Sequence, residues 1–107
     1  MYRPLPKKLR LGFSDIHDIG VFAKEGIPQG TNFGMTHLQF EENIIRTPLG
    51  GFLNHSDKPN CEKVKLRFTS SDKEAPYFFS KWNLITLKNI KEGEELTLKY
   101  TFYKIND

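Results

Sequence analysis

The sequence has a single cysteine, Cys61, in 107 residues, which excludes an internal disulfide. Histidine is scarce as well. His17, His37 and His55 stand far apart, without the paired spacing that zinc ligands use, so no metal is expected. No apolar run approaches the roughly 20 residues of a membrane-spanning helix, and the opening Met-Tyr-Arg-Pro-Leu-Pro lacks the apolar centre of a signal peptide. The expectation is a cytoplasmic protein with no membrane partner. Helical periodicity is missing too, since nowhere do apolar residues recur at helical spacing over a dozen positions. Neither sign of charge dominates: 16 Lys and Arg against 13 Asp and Glu leave +3 and a pI near 9.0. The lysines are dispersed along the chain, which reads as a solvated surface and makes nucleic acid an unlikely partner.

With 37% hydrophobic and 13% aromatic residues, the chain has the material for one core and one domain, residues 1–107. Its local pattern is strand. Lys63-Val64-Lys65-Leu66-Arg67-Phe68 alternates charged with apolar residues, which predicts a strand with one face wet and its apolar face buried. Tyr77-Phe78-Phe79 and Leu84-Ile85-Thr86-Leu87 read as two further apolar strands lying antiparallel, after a polar connection at 70–76. The last alternating run puts Leu96, Leu98, Tyr100 and Phe102 on one face and Thr97, Lys99, Thr101 and Tyr103 on the other. Leu9 to Phe13 and Val21 to Ala23 are short strands, and Lys24 to Gly30 and Asn89 to Glu94 are turns. The composite is a mainly β domain of many short strands.

In Gly50-Gly51-Phe52-Leu53-Asn54-His55-Ser56 an apolar segment ends in three side chains with hydrogen-bonding capacity, and Asp57, Lys58, Pro59 and Asn60 then supply turn chemistry. On residue types alone, such a triplet is either a plain turn or a binding site. Tyr100 is likewise either a core aromatic with one satisfied hydroxyl or a functional one. Cys61 has no orienting group to make it a nucleophile and reads as a small packed residue. His37 reads as an exposed strand histidine, Trp82 as core or a sheet-edge cover. Glu94 and Glu95, as neighbours in a turn, diverge and are read as structural.

Three stretches, in this order, resemble the SET domain protein-lysine methyltransferases. SDIHDIGVFAKEGIPQG is similar to the family's Gly-x-Gly turn, apolar-Phe-Ala strand and loop. GFLNHSDKPNC is similar to its Asn-His-Ser segment with a downstream Pro-Asn, and NLITLKNIKEGEELTLKY to its closing Gly-Glu-Glu-Leu turn and tyrosine. The resemblance implies a fold of several small, short-stranded sheets with a C-terminal pseudoknot and little helix, and a methyl transfer from S-adenosylmethionine to a lysine of a protein substrate. Asp18, Ile19, Gly20, Val21, Phe22, Asn54 and His55 would then hold the cofactor, with the Asn54 amide on its methionyl head. Tyr100 would be the catalytic tyrosine, and His37, Leu98, Phe102 and Tyr103 would border the lysine channel.

The sequence departs from that pattern in three places. Asp18 replaces the first glycine of Gly-x-Gly, and an aspartate that adopts the left-handed conformation would keep the turn. MTHLQFEENIIRTPLG is short for the family's variable insert and reads as one brief excursion. Only seven residues follow Tyr100, with no cysteine cluster, so Phe102 and Tyr103, or a second subunit in a homodimer, would close the lysine channel. Alternatives of other classes are a non-catalytic SET-like module that binds protein or cofactor, and a small basic β domain that binds nucleic acid.

Overall fold

The computed structural model describes residues 5–69 and 78–99, with only the backbone of Phe78. The expectations for the 70–76 connection, Tyr77, Tyr100, Phe102 and Tyr103 lie outside the described residues. The described chain is mainly β. Its order is β1 (Leu9–Phe13), β2 (Ile19–Ala23), β3 (Asn32–Phe40), β4 (Asn43–Arg46), α1 (Pro48–Gly51), β5 (Asn54–His55), β6 (Cys61–Thr69), β7 (Phe78–Thr86) and β8 (Glu95–Leu98).

Two four-stranded sheets result, one ordered β1-β2-β8-β5 and the other β4-β3-β7-β6. In the first, the last strand lies inside the sheet, antiparallel to β2 through Val21 and Leu96 and parallel to β5 through Asn54 and Thr97. The closing strand therefore enters between two segments that the chain laid down much earlier, the arrangement a pseudoknot requires. Leu96, Thr97 and Leu98 are all buried, so alternation here separates two buried faces. Leu9, Val21, Ala23, Leu49, Leu53 and Leu84 belong to the core, together with Ile27 and Ile90. These two isoleucines carry an isolated antiparallel bridge with reciprocal 2.8 Å bonds, which zips the Lys24–Gly30 turn onto the segment before β8. Backbone pairing thus continues through what the sequence presents as two turns.

The second sheet corrects two readings and gives a third its form. Phe79 and Leu84 to Thr86, expected in two separate strands, belong to one nine-residue strand, β7, because Ser80-Lys81-Trp82-Asn83 continues the pairing, with β6 throughout and with β3 from Phe79 to Ile85. The short insert is a hairpin, β3 and β4, turned by Glu41 at φ 57° and Glu42, and completed by the single-turn α1. Pro48 opens that turn and Thr47 caps it, its Oγ1 accepting from Gly50 N at 3.3 Å and donating to Met35 O at 2.7 Å. The second correction concerns β6. Its strand forms as expected, but Leu66 and Phe68 are 39% and 38% exposed, so its apolar face is not buried. Alternation specifies which side chains share a face; it does not supply a second layer to cover them.

Candidate functional site

The polar site is built on the face of the first sheet that looks away from the core. Along β2 and β8, Val21 and Leu96 point into the core while their neighbours Gly20, Phe22 and Glu95 point out. Glu95 is held there by two hydrogen bonds. Ser14 Oγ donates to its carboxylate at 2.8 Å, and Asn54 Nδ2 donates at 2.8 Å. Ser14 also organises the loop from β1 to β2: its hydroxyl accepts from Ile16 N at 2.9 Å, and its own N–H donates to Asp18 O at 2.8 Å.

Asn54 is 6% exposed, and its Nδ2 lies 3.1 Å from His17 O and 3.2 Å from Ile19 O as well as on Glu95. Two amide hydrogens facing that many acceptors are consumed within the fold. Of the amide expected to meet a methionyl head, the group left over is Oδ1, an acceptor that bonds nothing among the described residues. Asn54 is thus a clamp that fixes the Ser14–Ile19 loop against β8.

The same geometry separates the two positions of the Gly-x-Gly pattern. Asp18 takes φ 38°, so the left-handed turn survives, and its side chain is exposed, 3.6 Å from that of His17. At Gly20 the demand is different. A Cβ there would collide with the Glu95 carboxylate and lie 3.1 Å from Asn54 Nδ2. The first position needs an unusual dihedral, which aspartate can supply; the second needs empty space, which only glycine supplies.

A cavity of about 340 Å³ opens beside this network, lined by His17, Asp18, Ile19, Gly51, Phe52, Leu53 and Asn54. Of the seven residues expected to hold a cofactor, Asp18, Ile19 and Asn54 line it. Gly20 lies behind them against Glu95. Val21 is in the core, and Phe22 is half-buried with the Arg10 guanidinium 5.1 Å over its ring. His55 is also half-buried. Its Nε2 is 3.1 Å from Asp57 Oδ1, and its backbone pairs with Leu98 in β8. His17, Phe52 and Leu53 were not singled out from the sequence, nor was Ser14. Ser14 had a readable signal, a serine preceding the loop it caps; the cavity walls had none.

The Pro-Asn downstream of the triplet has a structural task. Asn60 Oδ1 accepts from Thr97 N at 2.8 Å and its Nδ2 donates to Glu95 O at 2.8 Å, so one side chain imitates a neighbouring strand along β8. Cys61 beside it is buried, which pushes its thiol up to about 12 and removes it as a nucleophile at neutral pH.

His37 corrects another expectation, since it is a strand histidine but only 5% exposed. Its Nδ1 is 2.9 Å from Thr36 Oγ1, which itself donates to Trp82 O at 3.1 Å; the ring meets Trp82 edge-on at 6.4 Å. Burial, and then the positive charges of Lys63 and Arg46, push it down to about 4, so the ring is neutral at ordinary pH. Thr36 and His37 lie directly under Gly50, where a Cβ would strike the Thr36 carbonyl. His37 therefore supports the helical turn that leads into the cavity wall and does not itself line the cavity. Leu98 is 2% exposed in the core.

Comparison with known families agrees with this architecture. The SET domain model matches residues 40–101, more than half of the chain. The chain belongs to the SET domain family. That match contains α1, Asn54, Asn60 and Glu95, and leaves the Ser14–Phe22 segment outside it. Among solved structures, the SET-type fold is similar to that of a Plasmodium falciparum "putative histone methyltransferase", at 18% identity, over 95% of this chain and 100% of that one, with a TM-score of 0.66. No curated protein matches the chain in sequence. Among the described residues, no group of three or more His, Cys, Asp or Glu could hold a metal, and no helix is long and apolar enough to cross a membrane.

Proposed function

We propose that this SET domain transfers a methyl group from S-adenosylmethionine to a lysine side chain of a protein substrate. The observation that carries the reading is the cavity beside Asn54, walled by Phe52, Leu53 and Ile19 and polar at His17, Asp18 and Asn54. Its size is at the lower end for small-molecule sites, and its polar groups suit a ligand with cationic character. Asn54 Oδ1 would accept from the methionyl ammonium, and the Asp18 carboxylate among the lining residues adds a negative charge. S-adenosylmethionine supplies a methyl already activated on a sulfonium centre, so the protein's work is to bind, orient and exclude water.

The Ser14, Glu95 and Asn54 bonds hold the cavity wall in one arrangement before any ligand arrives, which lowers the ordering cost of binding. Tyr100, two residues beyond the buried Leu98, is the proposed positioning group for methyl and amine. A lysine amine must reach the reaction uncharged, and apolar surroundings favour its neutral form.

The test has two readouts. S-adenosylmethionine or S-adenosylhomocysteine should raise the melting temperature, as a native-state ligand must, and Asn54→Ala should abolish the rise. With labelled cofactor and a lysate as acceptor, methylated lysines should appear by mass spectrometry, and Tyr100→Phe should lose about a hundredfold in turnover while keeping the thermal shift. No thermal shift at millimolar ligand would overturn the cofactor reading. A shift without any lysine product would leave a binding module and overturn the transfer.

A further inference from the structure

β6 is an edge strand of the second sheet, and among the described residues no backbone group from Val64 to Thr69 bonds anything but β7. Among the described residues, this outer edge is a row of donors and acceptors about 20 Å long with no strand beside it. The register assigns its faces. Lys65 shares a row with Trp82, His37 and Arg46, and Arg67 shares the next with Ser80, Gln39 and Ile44. Glu41, at the hairpin turn, lines a cavity with Lys65 and Arg67, but no carboxylate occurs in these rows, and among the described residues Arg46, Lys65 and Arg67 enter no ion pair. Strand alternation thus brings Arg46, Lys65 and Arg67 onto one face, while Lys81 pairs with Leu66 on the other. On that other face, Leu66 and Phe68 are partly exposed, the Phe68 ring stacked on Phe79 at 4.9 Å with the Lys81 ammonium 5.6 Å over it.

We infer that the β6 edge, Val64 to Thr69, docks an extended segment of a partner protein in which acidic residues alternate with apolar ones. A strand added there continues both faces: its acidic residues lie beside Lys65 and Arg67, and its apolar residues beside Leu66 and Phe68. Charge decides the occupant. A second copy pairing edge to edge would set Lys65 and Arg67 against like charges, which is destabilising. Single-stranded nucleic acid would need aromatic platforms on the basic face, and Trp82 there is buried with the Lys65 ammonium 5.2 Å over its ring. Edge cations also guard against aggregation, but a guard has no use for an apolar face left open behind it. The inference does not depend on methyl transfer.

A fluorescent peptide of about eight residues alternating glutamate and valine tests it by anisotropy. It should bind at least about tenfold more tightly than a scrambled peptide of the same composition or an alternating lysine and valine peptide, and N-methylation on alternate residues should abolish binding. The double variant Lys65→Glu, Arg67→Glu should reverse the preference between the glutamate and lysine peptides, with an unchanged circular dichroism spectrum. Equal binding of scrambled and alternating peptides overturns the docking strand, as does an oligonucleotide that displaces the peptide at lower concentration. The comparison among peptides on the native protein decides the matter even if the double variant fails to fold.

Discussion

The first sheet and the outer half of the second are made of similar residues and differ in what surrounds them. In β1-β2-β8-β5 the core face is closed by Leu49, Leu53 and Leu84, and the other face is knitted by Ser14, Asn54, Glu95 and Asn60. In β4-β3-β7-β6, beyond Trp82, the strands carry Lys65 and Arg67 on one face and Leu66, Phe68 and Lys81 on the other, and among the described residues Leu66 and Phe68 stay partly exposed. Stability and pre-organisation reside in the first region; the second is a ribbon whose backbone pairing is long and whose burial is small. One strand, β7, joins them, buried at Leu84 and half-exposed at Ser80.

The sharpest test of that contrast is Asn60→Ala against Arg67→Ala. The first strands Thr97 N and Glu95 O in the interior and should cost about 3 kcal/mol in urea unfolding; the second should stay within about 0.5 kcal/mol. Next comes pH. His37 titrates near 6.5 when unfolded and about 4 when folded, so as pH falls the unfolded chain takes the proton first. Stability from this residue is therefore complete above pH 6.5 and lost between 6.5 and 4, by about 3 kcal/mol. His37→Asn should flatten that part of the profile, as read from melting at each pH. Gly20→Ala should follow at about 2 kcal/mol, with loss of the cofactor-induced thermal shift, because the new methyl displaces Glu95. The smallest effect has the opposite sign. Glu41 pays a left-handed penalty at the β3–β4 turn, and Glu41→Gly should raise stability by about 0.5 to 1 kcal/mol.

The sequence made the first region readable and the second only in part, for physical reasons. Leu9 to Phe13, Val21 to Ala23 and the run through Leu98 keep apolar and polar residues on fixed sides, and the structure has strands there. The β3–β4 hairpin was hidden because its turn is two glutamates in place of the usual Asn-Gly. β7 looked like two strands because Ser80, Lys81 and Asn83 interrupt its apolar residues, and what makes them one strand is pairing with β6 and β3, which no local pattern reports. The burial of His37 depends on Trp82, far along the chain, and no local pattern reports that. At the site, Asn54 could be singled out but its bonding could not, since its partners come from Ser14, His17, Ile19 and Glu95. Tyr100, Phe102 and Tyr103 lie outside the described residues.

The placement of β8 inside its sheet also sets the order in which the protein can assemble. Val21 and Leu96 pair across about 75 intervening positions, and Asn54 and Thr97 across about 40, whereas β6 and β7 are neighbours in the chain. Pairings that close long loops form slowly because their entropy is spent before any contact repays it. The exposed ribbon can therefore form early and on its own schedule, while Glu95 reaches Ser14 and Asn54 only in the final step. Until that step the cavity has no fixed wall. A refolding experiment that follows ligand binding would see the site appear later than the bulk of the strand signal, so competence to bind is itself a clock for the completion of folding.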